Sequence, residues 1–398
     1  MEVGFIKPRR AAPKSPPRAG AGAANLAGNM RMRGGAGARR EGEVVTIIDS
    51  DAHVVETTET WSYMTGADEA FQPQIFTRRE GDGAAGPEGR RAREYWVIDE
   101  RPIAKGANQG EDVPADSRDM VSVRSRLKHM DELGADIAVL YPTVFLRPMT
   151  KEHDVEYALT RSYNRWLADI WKQSDNRLRW AALPPLYSLI DRGKVRAELE
   201  FCKANGAVSV FLRGIECDRV LSHRYFFPLY EMAEELGLAV TLHTGINSMT
   251  IHDAYPAGYE VSLNRFKLPC ATAFATLLQD EIPALFPGVR WAFIEAGALW
   301  LPFMLNEARL RLQRKGRRMA DDPLGENRMF VTTQLTDDIP AIVAAVGDDN
   351  LLIGTDYGHN DTATDIRALQ RLGQEGGIGQ GSVDKILEAN PRRLYALD

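Results

Sequence analysis

Eight short apolar runs, separated by longer stretches of helical period, constrain this fold more than any other feature of the chain. The runs are Val44–Asp49, Asp136–Pro142, Leu178–Leu183, Ala207–Leu212, Leu238–His243, Val289–Glu295, Met329–Thr333 and Leu351–Asp356. Most are apolar on both faces, the pattern of buried parallel strands rather than half-exposed ones. Amphipathic stretches such as Val155–Trp171, Phe227–Leu236 and Leu301–Leu312 lie between them. Gly134 and Gly237 each follow a helical run and immediately precede a strand, as helix-terminating glycines do. Eight βα units point to an α/β protein of the TIM-type (β/α)8 barrel class over residues 44–398, closed by a helix around Val383–Leu387. One interval breaks the rhythm. Residues 57–120 are too long for a βα loop, and hold a glycine-rich stretch (Gly81–Gly89) and a hairpin pattern turning at Asp99-Glu100. An insertion there is expected to act as a lid or a dimer contact.

The net charge of −6 conceals a division. Residues 1–40 carry nine basic residues against Glu2, a charge of +8; the remaining 40 basic and 54 acidic residues give −14. Half of that basic segment is Ala, Gly or Pro, too few large apolar residues to offset ordering entropy, so residues 1–43 are expected to be a disordered tail. It has no apolar core of a secretory signal, and it lacks the serines and amphipathic pattern of a transit peptide. A dispensable extension, with translation starting at Met30 or Met32, fits the composition. The acidic barrel excludes nucleic acid and anionic membrane as main partners, and no apolar run approaches the 18 residues of a membrane span. Cys202, Cys217 and Cys270 lack metal-binding spacing and read as reduced thiols of a cytoplasmic protein. A homodimer is the expected assembly.

Barrel chemistry sits where strands end. The first run leads into Asp51-Ala52-His53, whose two polar residues face the same side of a continuing strand. The fifth ends at His243, the sixth at Glu295, and the eighth at Asp356-Tyr357-Gly358-His359. A lone buried histidine is usually a satisfied core residue, and a carboxylate at a strand end is often a helix cap. Together at one barrel face, however, imidazoles and carboxylates make a divalent metal site the economical explanation.

Asp51-Ala-His53, His243 and Thr355-Asp356-Tyr357 at these spacings resemble the metal-dependent amidohydrolase superfamily, in its amidohydrolase 2 branch with aminocarboxymuconate-semialdehyde decarboxylase. Arg126-Leu-Lys-His-Met-Asp-Glu-Leu-Gly134 and Tyr141-Pro-Thr143 extend the likeness, which runs from about Val44 to the C-terminus. The resemblance places metal on Asp51, His53, His243 and Asp356. Two positions depart from it: a His-x-His pair is Asp51-x-His53 here, and the strand-six histidine proposed for proton transfer in that branch is Glu295. With Glu295 as a fifth ligand the set is two imidazoles and three carboxylates, suited to iron or manganese as well as zinc, at one or two ions per chain. Glu56, His252 and His359 are close enough in sequence to contribute to a second site.

Two chemistries follow. The first is metal-activated water acting on a small organic acid or acyl compound, hydrolysis with decarboxylation as the sister reaction. Asp356 or Glu295 takes the proton, His359 assists, and Arg213 holds a substrate carboxylate unless it is a structural ion pair. The second, implied by the resemblance, is a non-haem di-iron monooxygenase hydroxylating a terpenoid-type secondary metabolite, with a ferredoxin-type reductant as partner. A barrel that has lost its metal is a third reading, disfavoured by the complete ligand set.

Overall fold

Parallel strands pair in one continuous ring, each separated from the next by a helix. The computed structural model describes residues 45–79, 92–106, 108–248 and 263–397. The strands are β1 (Ile48–His53), β2 (Ile137–Tyr141), β3 (Leu178–Ala182), β4 (Ala207–Arg213), β5 (Ala239–His243), β6 (Trp291–Ile294), β7 (Met329–Thr333) and β8 (Leu351–Ile353), hydrogen-bonded in that order. The principal helices between them are α1 (Val123–Leu133), α2 (His153–Lys172), α3 (Arg192–Ala204), α4 (Phe227–Leu236), α5 (Leu268–Gln279), α6 (Leu301–Arg314) and α7 (Ile339–Val346). α8 (Ala368–Glu375) follows β8, and short helices reach Tyr395. This is the (β/α)8 barrel that the eight apolar runs predict. Among the described residues no helix is long and apolar enough to cross a membrane.

The boundaries of three predicted strands shift in ways that matter for chemistry. β1 begins at Ile48 rather than Val44 and runs through Asp51 to His53, with an extra residue between Asp49 and Ala52 relative to β2. Such a bulge re-aims side chains next to a site. β6 stops at Ile294 because Glu295 takes a left-handed backbone conformation (φ +66°) that a strand cannot continue through, and β8 stops at Ile353, before Asp356, which is left-handed too (φ +52°). Past that bend the chain still closes the barrel: Asp356 N donates to Asp51 O at 2.8 Å, and His53 N donates to Tyr357 O at 2.8 Å. Asp49, buried beneath this seam, accepts from Thr355 N (2.9 Å) and the Thr355 hydroxyl (2.5 Å).

Local chemistry explains the helix ends. Ser122 caps α1 by accepting from Ser125 N at 3.1 Å, and Gly134 and Gly237 end α1 and α4 at φ +72° and +62°. Tyr163 and Trp166 of α2 pack into the buried layer between helix and barrel.

The 57–120 interval holds an antiparallel sheet of Gln74–Arg79, Ala92–Ile98 and Arg101–Ala104, with the turn at Asp99 and Glu100 (φ +49° and +60°). Two positive φ angles match the hairpin turn whose twist suits paired strands. The Gly81–Gly89 stretch and the 1–43 tail lie outside the described residues. The insertion returns along the loop after β8. Gln109 bridges His359, and Gly110 N donates to Gly358 O at 2.8 Å.

Candidate metal centre

Proton accounting around three histidines defines the site. His53, at the end of β1, donates from Nδ1 to the Pro142 carbonyl at 3.0 Å, so its Nε2 carries a lone pair. His243, the last residue of β5, donates from Nδ1 to the Thr244 carbonyl at 2.9 Å. His359 lies three residues beyond Asp356, and its Nε2 is 2.9 Å from the Thr143 hydroxyl. That hydroxyl already gives its proton to the Val54 carbonyl (2.7 Å), so His359 donates from Nε2 and its Nδ1 holds the lone pair. Backbone and hydroxyl acceptors thereby fix the tautomers of His53 and His359 and orient all three rings through the nitrogen turned away from the cluster, the outer-shell arrangement of metal-binding imidazoles.

The remaining nitrogens converge on two carboxylates. His53 Nε2 lies 3.4 Å from Asp51 Oδ1 and 3.3 Å from Asp356 Oδ1; His243 Nε2 lies 3.2 Å from Asp51 Oδ1; His359 Nδ1 lies 2.8 Å from Asp356 Oδ1. The His53 and His359 rings stack at 3.7 Å between centroids. His53 Nε2, His359 Nδ1 and Asp356 Oδ1 are fully buried without a hydrogen-bond partner among the described residues. Such orphaned atoms are costly unless a cation joins them. Asp51, His53 and His243 present ligand atoms within 4.8 Å of one another, as do His53, Asp356 and His359. The donor set therefore fits a divalent metal held by imidazole and carboxylate.

Glu295 stands on the other side of His243. Its Oε2 is 3.2 Å from His243 Nδ1 and accepts from the Thr244 hydroxyl at 2.6 Å. With Asp356 and the exposed Asp361 it forms a second, all-carboxylate group. Asp356 Oδ2 accepts from Thr364 at 2.7 Å, and Asp361 accepts from Asn108 of the insertion at 2.8 Å. The left-handed backbone at Glu295 and Asp356 costs about 1–3 kcal/mol each, strain of the kind held at functional sites.

The structure therefore brings together Asp51, His53, His243, Asp356 and His359, with Glu295 beside them. Glu56 lies apart from the cluster: its carboxylate accepts Thr143 N (3.1 Å) and Val144 N (2.8 Å), bracing the segment that orients His359. Arg213 is held by Glu216, from Nε at 2.9 Å and Nη2 at 2.5 Å, and gives Nη1 to the Phe145 carbonyl at 3.1 Å. Of the two readings the sequence left open for Arg213, the structural ion pair is the one the geometry contains. His252 lies outside the described residues. Sequence reading passed over Asp361, two residues after His359, and threonines 244 and 364, and gave Thr143 no role beyond the family likeness. A short hydroxyl side chain in a loop carries no signal until the fold sets its partner.

Electrostatics favour occupation by a cation. Burial holds the Glu295 carboxyl well above the usual range, with Asp356 adding to the effect. Burial does the same to Asp356, reinforced by Asp361 and Asp51. Although burial alone would raise it, Asp51 is held well below that range by His243 and His53. Burial, with neighbouring His359, lowers His53 to about 3. Burial opposes the charge on His243, yet Glu295 and Asp51 raise it to about 9. Protons on His243, Asp356 and Glu295 therefore compete with metal at neutral pH. Apparent metal affinity is expected to rise with pH from 5.5 towards 9, by about tenfold per unit for each proton displaced. Chelator competition at several pH values measures this, and a flat profile would contradict the assignment.

A cavity of about 540 Å³ opens beside the cluster, its wall including Thr143, Arg147, Thr244, Lys267, Glu295 and Asp361. That volume suits a small organic ligand.

Residues 48–397 match the amidohydrolase family. No curated protein matches the sequence. An amidohydrolase from Mycobacterium avium subsp. paratuberculosis K-10 shares the fold at 18% identity and a TM-score of 0.71, over 89% of this chain and 98% of that one. The 5-carboxyvanillate decarboxylase of Sphingomonas paucimobilis is 15% identical with a TM-score of 0.62, over 89% and 100%. The 4-oxalomesaconate hydratase of Rhodopseudomonas palustris is 19% identical with a TM-score of 0.59, over 88% and 96%.

Proposed function

We propose, from the premise that the chain belongs to the amidohydrolase family, that it is a metal-dependent enzyme acting on a small organic acid or acyl compound by hydrolysis, with lyase chemistry as the sister reaction. The observation that carries this reading is the convergence of three imidazole nitrogens and two carboxylates beside a ligand-sized cavity. Two proteins of similar structure are named for organic acids, 5-carboxyvanillate and 4-oxalomesaconate, which supports that substrate class.

Asp51, His53, His243, Asp356 and His359 would hold the metal. When bound, it supplies Lewis-acid polarisation of a substrate oxygen and acidifies water. Glu295 lines the cavity with a carboxyl whose affinity for protons is raised by burial, the property a general acid or base needs near neutral pH. The Thr244 hydroxyl fixes Glu295 Oε2, leaving Oε1 to exchange a proton with substrate or water. The insertion reaches the cavity wall through Asn108, which keeps Asp361 in place.

A second reading, the di-iron monooxygenase, is favoured by one observation: Glu295, Asp356 and Asp361 offer a further trio of ligand oxygens that shares Asp356 with the first group. Metal analysis together with turnover on a panel of aromatic carboxylic acids and lactones separates the two. The expected result is one divalent ion per chain and product formation that persists without oxygen. Glu295→Gln is expected to keep that ion and lower turnover about 10²- to 10⁴-fold. Two irons per chain with strict oxygen dependence would overturn the hydrolase reading.

A further inference from the structure

Arg147 lines the mouth cavity and both neighbouring pockets. Its backbone is fixed from two sides. The Phe145 carbonyl accepts from Arg213 at 3.1 Å, and the Leu146 carbonyl accepts from Ile246 N at 2.7 Å. Gly245 permits that second contact, since a Cβ there would lie 2.4 Å from the Leu146 oxygen. Arg213 therefore braces the segment that carries Arg147.

The guanidinium itself is unmatched. Among the described residues it has no ion pair, hydrogen bond or ring contact, although burial alone draws its pKa downward. The other cations lining these pockets have partners: Arg213 pairs with Glu216, Lys151 with Asp218, and Lys267 donates to Gln334 at 3.2 Å. A half-buried cation without a counter-charge is unfavourable unless a ligand supplies one. The planar fork of arginine matches a carboxylate in two parallel hydrogen bonds.

We propose that Arg147 is the anion-recognition residue of the cavity, gripping a substrate carboxylate while the opposite end of the substrate reaches the metal cluster. This rests on the metal-enzyme reading above, and makes the preferred substrates acids with a second polar group at the far end of the molecule. Isophthalate and its monoamide test it, because both keep one carboxylate for the metal and differ only in the charge presented to Arg147.

Titration calorimetry on the metal-loaded full chain is expected to show wild type favouring isophthalate by about tenfold or more. Arg147→Leu should bind both compounds equally with unchanged metal content, and Arg147→Lys should restore part of the preference. Arg147→Gln serves the same comparison if the leucine variant does not fold. Metal-loaded wild type without the preference, or a variant that retains it, overturns the Arg147 assignment alone. A wild-type protein that takes up no divalent metal overturns the metal reading beneath it.

Discussion

Asp356→Asn is expected to leave a folded protein that has lost its metal and its turnover together. Asp356 Oδ1 is the carboxylate oxygen nearest both His53 Nε2 and His359 Nδ1, and it has no other partner among the described residues. Removing its charge should weaken metal binding by at least about 10²-fold, since losing even an outer-shell contact typically costs 10- to 100-fold. The fold should survive, because burial already disfavours the ionised carboxylate. The sign is definite. A carboxyl whose folded pKa is raised contributes stability at low pH that disappears as pH rises through the folded value. Neutral asparagine escapes that loss. Against chelated wild type, the variant should therefore be relatively more stable at pH 8 than at pH 5. Wild type should gain melting temperature on metal addition, up to about 4 kcal/mol of stability at metal 1,000-fold above its Kd, and the variant, binding at least about 100-fold more weakly, should gain no more than about 1.4 kcal/mol. Thermal melts with and without metal decide this; a full metal-dependent shift in the variant would remove Asp356 from the ligand set.

Gly354→Ala is expected to be the most damaging small change in the barrel. A Cβ at this position would lie 2.2 Å from Asp51 Cβ, 2.7 Å from Asp51 N and 2.8 Å from Asp51 Cα. None of those atoms can swing aside, so the β1–β8 seam must open or Asp51 must move. Overpacking of this kind costs about 3 kcal/mol or more, a large part of a typical 5–15 kcal/mol stability. Metal should be lost as well, because Asp51 Oδ1 faces both His53 and His243. Gly379→Ala, with nothing within 4 Å of its Cβ, is the control and should cost no more than about 1 kcal/mol, from its helix N-cap position alone. Denaturant midpoints and metal content measure both variants. A Gly354→Ala protein with wild-type stability would mean the seam is looser than its hydrogen bonds imply.

The barrel itself was legible because each strand is buried on both faces, which writes an apolar run into the sequence. The bend at Glu295 and Asp356 was not legible. An apolar run ending in an acid looks the same whether the acid lies on the strand or just past it in a left-handed conformation. His359 shows a similar limit. Its place three residues after Asp356 suggested a role, but only the Thr143 hydroxyl, itself committed to Val54, reveals which nitrogen faces the cluster.

Arg213 and Arg147 mark the same boundary for substrate recognition. Both are arginines near the mouth, and sequence favours the one that ends a strand. Their partners differ: Glu216 matches Arg213 locally, whereas Arg147 is left facing the cavity. The sequence by itself determined the strand count, the barrel class and the residue types gathered at one barrel face, since burial and βα alternation are periodic along the chain. Only the tertiary structure decided which donors are already matched, which lone pairs converge and that the Arg147 guanidinium meets no counter-charge among the described residues. Most of those properties belong to pairs of residues from different βα units, such as His53 with Asp356 and His243 with Asp51, and no periodicity in one segment carries the hydrogen-bonding state of another.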